Sequence, residues 1–303
     1  MRIERIERVK NVGIYDSLVA QLDKLARHNR QGSYRTKERY YEACKRFCAY
    51  LAEEYHLQKF SNISGKHLVS YVLYMQDRGM SASTVKTDLA AIRFFHDKTE
   101  KPKYRLPDNA ELGVALEQRL FGGVDRTWTK TEFRRLLEIA AEEGREDYIL
   151  ALHLARLAGL RLHECFRIDT ATAERALREK ALTIKGKGGK VRTVPIEDDR
   201  IITLLRNRLA VTRRGHKLIV PDDMPTDIAM NQLEQFIHNR RPFFLDAGDT
   251  RLLSFHGLRH TYAAEKYRQL TTGGMGPLDA HFAVSRLLGH ERPDVTDIYL
   301  SSV

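Results

Sequence analysis

The strongest constraint on the fold of this chain is the spacing of its apolar residues. They recur at three- and four-residue steps along most of its 303 positions and change to a strand-like pattern once. Such spacing puts side chains on one face of an α-helix and argues against a large sheet. Tyr40, Ala43, Cys44, Phe47, Tyr50 and Leu51 make one such face, in a helix expected from about Thr36 to Glu54 after a short polar N-terminal stretch. A second helix begins at the cap residue Ser64 and ends at Gly79, with Leu68, Tyr71, Val72 and Met75 inward. A third starts at Ser83 and carries Val85, Leu89, Ile92 and Phe95.

The rhythm lapses over KPKYRLPDN, where two prolines interrupt any helix. It resumes at Thr129-Lys-Thr-Glu132, a capping-box sequence leading into Phe133, Leu136, Leu137 and Ala140. The expected division is a helical unit over 12–105, a linker over 106–125 and a second unit over 126–303, with the side that claims Ala110–Gly122 left open. In the second unit an apolar helix from Tyr148 to Ala158 is stopped by Gly159. Then comes the single change of period: Ala181–Ile184 and Lys190–Ile196 read as two short strands around the turn KGKGG. Helices return over Arg200–Thr212, Thr226–Arg241, His256–Leu270, Ala280–Leu288 and from Asp294 onward. The fold class is therefore mainly α with a small β-hairpin, an α+β chain.

Lys and Arg number 51 against 40 Asp and Glu, a formal charge of +11. That balance suits a polyanionic partner, because each neutralised phosphate releases condensed counterions. No apolar run approaches the roughly 18 residues that span a bilayer, and MRIERIERVKNVG lacks the apolar centre of a signal peptide. The three cysteines, an odd and scattered set, argue for a reducing compartment. A cytoplasmic chain without a membrane partner is expected. Cys44 and Cys48 read as small buried hydrophobes, since no second Cys or His pair completes a zinc site.

Candidate chemistry gathers in GLRLHE (159–164), KGKGGKVRTVPI (185–196), HGLRH (256–260) and LLGHERPDVTDIY (287–299). Taken singly, each residue has an ordinary explanation. Arg161 follows a helix-ending glycine and can pair with Glu164 along one turn. Lys187 sits in a glycine turn where lysine supplies solubility. His290 suits a helix C-terminus, and Tyr299 is one of thirteen tyrosines, which at helical spacing usually pack. His256 and His260, four apart, could chelate a metal. A metalloprotease helix, however, has Glu directly after its first His, where this chain has Gly257.

The order of these residues changes the odds. Arg161, Lys187, His256, Arg259, His290 and Tyr299 resemble the active-site set of the tyrosine recombinase family, which includes phage integrases and Xer-type recombinases. All six positions hold the expected residue type, Tyr299 falls nine residues after His290, and Glu164 matches a frequent acidic accessory position. The resemblance implies a helical, SAM-like core-binding domain and a catalytic domain that close as a C-shaped clamp on duplex DNA. It implies site-specific recombination through a 3′-phosphotyrosine, with no cofactor, no metal and no ATP. Arg161 and Arg259 would bind the phosphate oxygens. His256 and His290 would bond the same oxygens, one of them taking the tyrosine proton. Lys187 would protonate the departing 5′-oxygen. The partner would be double-stranded DNA with a specific core site, exchanged through a Holliday junction by a homotetramer on two sites, from a chain monomeric when free.

Lys86, Arg93, Lys185 and Lys190 are candidates for contacting DNA phosphate. Three other functions fit parts of this pattern: a type IB topoisomerase, a non-catalytic DNA-binding protein of the same fold, and a metal-dependent nuclease using His256 and His260. The interval from Arg259 to His290, with TTGGMGPLDAHF, is long for the family and is expected to form an extra loop near the site or a subunit interface. The four residues after Tyr299 imply communication between protomers through surfaces other than a long tail, and the short stretch before the first helix favours recombination at a simple core site.

Overall fold

The computed structural model of the chain describes residues 9–27, 34–118, 125–186, 189–290 and 294–300. It divides into two compact units between residues 120 and 121.

The first unit is built from α1 (Val12–Arg27), α2 (Tyr34–Glu54), a 3-10 turn (Phe60–Asn62), α3 (Gly65–Asp77) and α4 (Ala82–His96). Helix α1 lies inside the N-terminal stretch that is expected to be polar. Only Leu18 and Leu22 of α1 are buried outright, so its apolar signal is thin. They join Phe47, Leu51, Leu68, Val72, Leu89 and Ile92 in one core. Cys44 and Cys48 are free thiols inside that core, and burial pushes both thiols up. The segment after α4 folds back onto this unit, with Leu106 and Leu112 buried in its core and Val114 and Leu116 packed against it. Helix α4 starts at Ala82, one residue before the expected Ser83, because Ser81 caps it by accepting the Thr84 N–H.

In the second unit, α5 (Lys130–Glu142) opens on the reciprocal bonds of the expected capping box: Glu132 N–H to Thr129 Oγ1 at 3.1 Å and Thr129 N–H to Glu132 Oε2 at 2.8 Å. Helix α6 (Glu146–Ala158) runs through the middle, buried along nearly all its length, which is why it reads as apolar on every face. It stops at Gly159 in the left-handed region, φ +64. Then follow α7 (Leu162–Cys165), α8 (Thr170–Glu179), β1 (Ala181–Lys185) and β2 (Val191–Pro195). The two strands pair antiparallel, from Ala181 opposite Pro195 to Lys185 opposite Val191.

Four longer helices and one short one complete the unit: α9 (Asp199–Val211), α10 (Thr226–Phe244), α11 (Phe255–Thr272), α12 (Pro277–Leu288) and α13 (Asp294–Leu300). The interval expected to form an extra loop is instead the end of α11, a Gly273–Gly276 turn and the start of α12, which takes Pro277 in its first turn. No described helix is long and apolar enough to cross a membrane.

Candidate functional site

The largest fully buried side chain among the described residues is a charged one, Arg259 on α11. Its Nη1 donates to the carbonyl of Gly159, and its Nη2 donates to the carbonyl of Leu288 at 2.5 Å. Both carbonyls belong to helix ends, α6 and α12, where backbone oxygens lack helical partners. Among the described residues no carboxylate bonds this guanidinium and its Nε has no hydrogen-bond partner. Burial first, and then the charge of Arg161, lowers its pKa to about 10. An arginine held this way keeps its charge at neutral pH; Glu164 acts on it through its charge, but among the described residues no carboxylate is hydrogen-bonded to it.

Tyr299, on α13, packs into the pocket beside it. Its ring lies 5.6 Å from the Arg259 guanidinium and is 7% exposed, within a small cluster of Tyr262, Ala263, Val284 and Leu288. Three imidazoles surround it. His260 stacks on the ring at 4.3 Å and 22°, His290 is tilted at 4.9 Å, and His256 meets it edge-on at 5.5 Å. The Tyr299 hydroxyl lies 3.1 Å from His256 Nε2. His290 is oriented from both sides, with Nδ1 2.9 Å from the buried Thr296 hydroxyl and Nε2 3.3 Å from Arg259 Nη2.

All three histidines are held neutral. Burial, then Arg259 and Arg161, bring His290 down to about 3. Burial, then His256 and Arg126, do the same to His260. His256 falls to about 4 through burial and the charges of Arg259, Arg126 and Arg161, although the residue as a whole keeps an exposed surface. A neutral His256 with its proton on Nδ1 has Nε2 free to accept the tyrosine hydroxyl's proton.

Glycines let these parts approach. A Cβ at Gly257 would strike the Arg126 carbonyl and lie 2.8 Å from Trp128 Nε1. Residues 126–128 therefore lie across the first turn of α11, tied down by Trp128 N–H to Thr261 Oγ1 at 2.8 Å and Trp128 Nε1–H to Ser254 O at 3.1 Å. A Cβ at Gly159 would fall 2.7 Å from Tyr262 Cε1.

Arg161 caps the short α7, its N–H donating to Glu164 Oε2 at 2.8 Å and its Nη1 to Glu164 Oε1 at 3.1 Å. Its side chain remains a quarter exposed. Of the residues singled out in sequence, Arg161, Glu164, His256, Arg259, His290 and Tyr299 converge here through these contacts. Lys187 lies outside the described residues. Lys185 ends β1 and Lys190 precedes β2, both exposed beside that turn. Lys86 is half-buried on α4. Arg93 turns inward to the chain, Nε donating to Pro107 O and Nη1 to Asn109 Oδ1, each at 2.8 Å, so it anchors the segment after α4. The pair His256 and His260 gathers no third His, Cys, Asp or Glu into a metal-binding group among the described residues.

Two contributors were not assigned from sequence. His260 stands one residue after the HGLR run, but its stacking on Tyr299 depends on α13. Arg192 lies within KGKGGKVRTVPI, and its contact with Glu164 spans 28 residues.

A family model described as the phage integrase family matches residues 126–303, and one for the phage integrase N-terminal SAM-like domain matches residues 19–105. The first alone spans more than half of the sequence. This chain belongs to the phage integrase family. It is similar to the tyrosine recombinase XerC of Natranaerobius thermophilus, 24% identical over 279 residues and 88% of each chain. In fold it resembles lambda integrase, solved as a dimer bound to a COC′ core site (TM-score 0.63, 15% identity, 98% of this chain and 82% of that one). It likewise resembles the Tn1549 transposon integrase, solved with circular intermediate DNA (TM-score 0.60, 15% identity, 93% and 94%).

Proposed function

We propose that this chain is a site-specific DNA recombinase that cuts one strand with Tyr299, holds it as a 3′-phosphotyrosine and passes it to a new 5′-hydroxyl. The observation that carries this reading is Arg259: a fully buried cation with no bonded carboxylate among the described residues, beside a tyrosine whose hydroxyl lies 3.1 Å from an imidazole nitrogen. Burying an uncompensated charge is costly, and a phosphodiester bound at the guanidinium supplies the missing anion.

In the proposed step, the Tyr299 oxygen attacks phosphorus and its proton moves to His256 Nε2. The bond from phosphorus to the 5′-oxygen breaks. By the family pattern, Lys187 gives that oxygen its proton. Arg161 and Arg259 take the non-bridging oxygens, a task suited to their planar forks, and by the family pattern His290 bonds the same oxygens after giving up its contact with Arg259 Nη2. A His256 near pKa 4 is a weak base while the site is empty of phosphate. An incoming phosphate offsets Arg259 and Arg161, two of the three arginines that help hold that value down, so the base strengthens as substrate binds. Energy stays in the phosphotyrosine bond, and the reverse attack by another strand's hydroxyl completes transfer. Two such rounds on a tetramer bridging two duplex sites would give recombination.

The test is covalent capture. A nicked duplex with a randomised core is incubated with the protein, denatured and resolved by size. A protein–DNA adduct that survives chelator and disappears in Tyr299→Phe is expected. Cleavage that is lost with chelator and passes through no adduct would overturn the reading. Strand exchange between two duplexes, as opposed to relaxation of a supercoil by a monomer, separates a recombinase from a topoisomerase.

A further inference from the structure

Glu164 is a fully buried carboxylate shared by two arginines, and they share it unequally. Arg192, from β2, places Nη1 2.8 Å from Oε1 and Nη2 2.7 Å from Oε2. Arg161 reaches the same group with Nη1 alone, at 3.1 Å, and with its backbone N–H. Two short parallel bonds form the strong fork-to-carboxylate geometry, whereas a single longer bond does not. The carboxylate's charge is therefore matched chiefly by Arg192. Were Arg192 absent, the nearest remaining cation would be Arg161, and a guanidinium paired with a buried carboxylate has little charge left to offer a phosphate.

We propose that Arg192 is a positioning residue that neutralises Glu164 and so leaves Arg161 free to bind the scissile phosphate. The inference rests on the reading of Arg161 as a phosphate ligand. Glu164 is ionised at any working pH: burial alone would raise its pKa, but the hydrogen bonds and charge of Arg192, with the Arg161 N–H, outweigh burial and hold it at about 2. It needs a cation permanently. The same Arg192 also reaches the far side of the site. Its Nε donates to Leu287 O at 2.9 Å, next to the Leu288 carbonyl that holds Arg259 and three residues before His290. Gly289, at φ +67, makes room for it, since a Cβ there would lie 2.9 Å from Arg192 Cδ. One side chain from β2 thus bonds the acid beside Arg161 and the helix end that carries His290.

Charge balance and mere packing predict different outcomes when Glu164 is removed as well. A nicked duplex is first selected by covalent capture from a randomised library using the wild-type protein. Single-turnover adduct formation on it is then compared for wild type, Arg192→Gln, Glu164→Gln and the double variant, with melting temperature recorded for each. Arg192→Gln is expected to slow adduct formation by about 100-fold or more, and Glu164→Gln by less than about tenfold. The double variant is expected to return to within about tenfold of Glu164→Gln, because the unmatched carboxylate is gone. A double variant as slow as Arg192→Gln would overturn the inference and leave Arg192 as a packing or DNA-contacting residue. If Arg192→Gln melts below the assay temperature, Arg192→Lys takes its place. A rate within about tenfold of wild type supports charge neutralisation, and a loss of about 100-fold overturns it. An adduct that forms at full rate in Arg161→Ala would instead sink the underlying reading of Arg161, whatever the Arg192 variants do.

Discussion

Each unit buries an ionised group, and the two are treated in opposite ways. In the first unit Asp88, 1% exposed, is satisfied on every side. Arg46 bonds both its oxygens, at 2.8 and 3.0 Å from Nη2, and the Tyr71 hydroxyl donates to it at 3.2 Å. In the second unit Arg259 is fully buried among backbone carbonyls and an imidazole, with its Nε unpartnered and His260 Nε2 unpartnered nearby. The first arrangement is complete, and it holds α2, α3 and α4 together. The second is incomplete, and what it lacks is an anion. Unpaired atoms alone do not make this distinction, since Arg93 Nη2 and His96 Nε2 are also unpaired in the first unit. Full burial of a cation does: Arg259 is 0% exposed, whereas Arg93 is only partly buried.

The comparison breaks most visibly at Arg259. Arg259→Met should cut adduct formation by about 1,000-fold or more while changing melting temperature less than any break in the Asp88 group, because it removes a charge that has no opposite partner. Asp88→Ala should do the reverse. It strands Arg46 and the Tyr71 hydroxyl, at a cost of about 3 kcal/mol, or roughly 10 °C or more for a unit of this size by thermal melting. Adduct formation by the fraction still folded should be unchanged. An Asp88→Ala protein as stable as wild type would remove the contrast.

A smaller effect is expected from pH. His260 and His290 each fall from an ordinary 6.5 to about 3 on folding. The unfolded chain then binds more protons than the native one below about 6.5, so stability is full above that value and declines as pH drops toward 3. Glu164, held at about 2, adds loss in the same direction below about 4.5. His256, which keeps an exposed surface, contributes less. Melting curves between pH 7 and pH 4 should therefore fall, and His260→Phe should flatten them. Equal slopes for the two proteins would contradict the neutral, buried state of His260. The same His260→Phe variant keeps a flat ring against Tyr299 and should lose less than about tenfold in adduct formation, the smallest change of the set.

The parts of the molecule that were legible in sequence are those whose signal is local. The capping box at Thr129, the stop at Gly159 and the strands around KGKGG each depend on a few neighbouring residues. The ordered run of Arg161, His256, Arg259, His290 and Tyr299 was legible through its resemblance to a known family. Helix α8 was missed because its inward positions are Ala173 and Ala176, small residues that give little periodic contrast. Helix α10 was ended too early, at Arg241, because Pro242 lies in its last turn, where the helix tolerates it. Relations between distant segments were not legible. Arg93 reads as a free cation until the 106–109 segment folds over it. Arg192 reads as a strand residue until β2 lies against α7. The stacking of His260 on Tyr299 requires α11 and α13 to be already in place.

The most direct measurement is to trap the adduct on a nicked duplex, digest it with protease and nuclease, and map the joined residue by mass spectrometry. A phosphodiester-derived mass on the Tyr299 hydroxyl, with the broken strand's 5′-end free, is the expected result. A DNA remnant on any other side chain, or cleaved DNA with no protein joined to it, would contradict it.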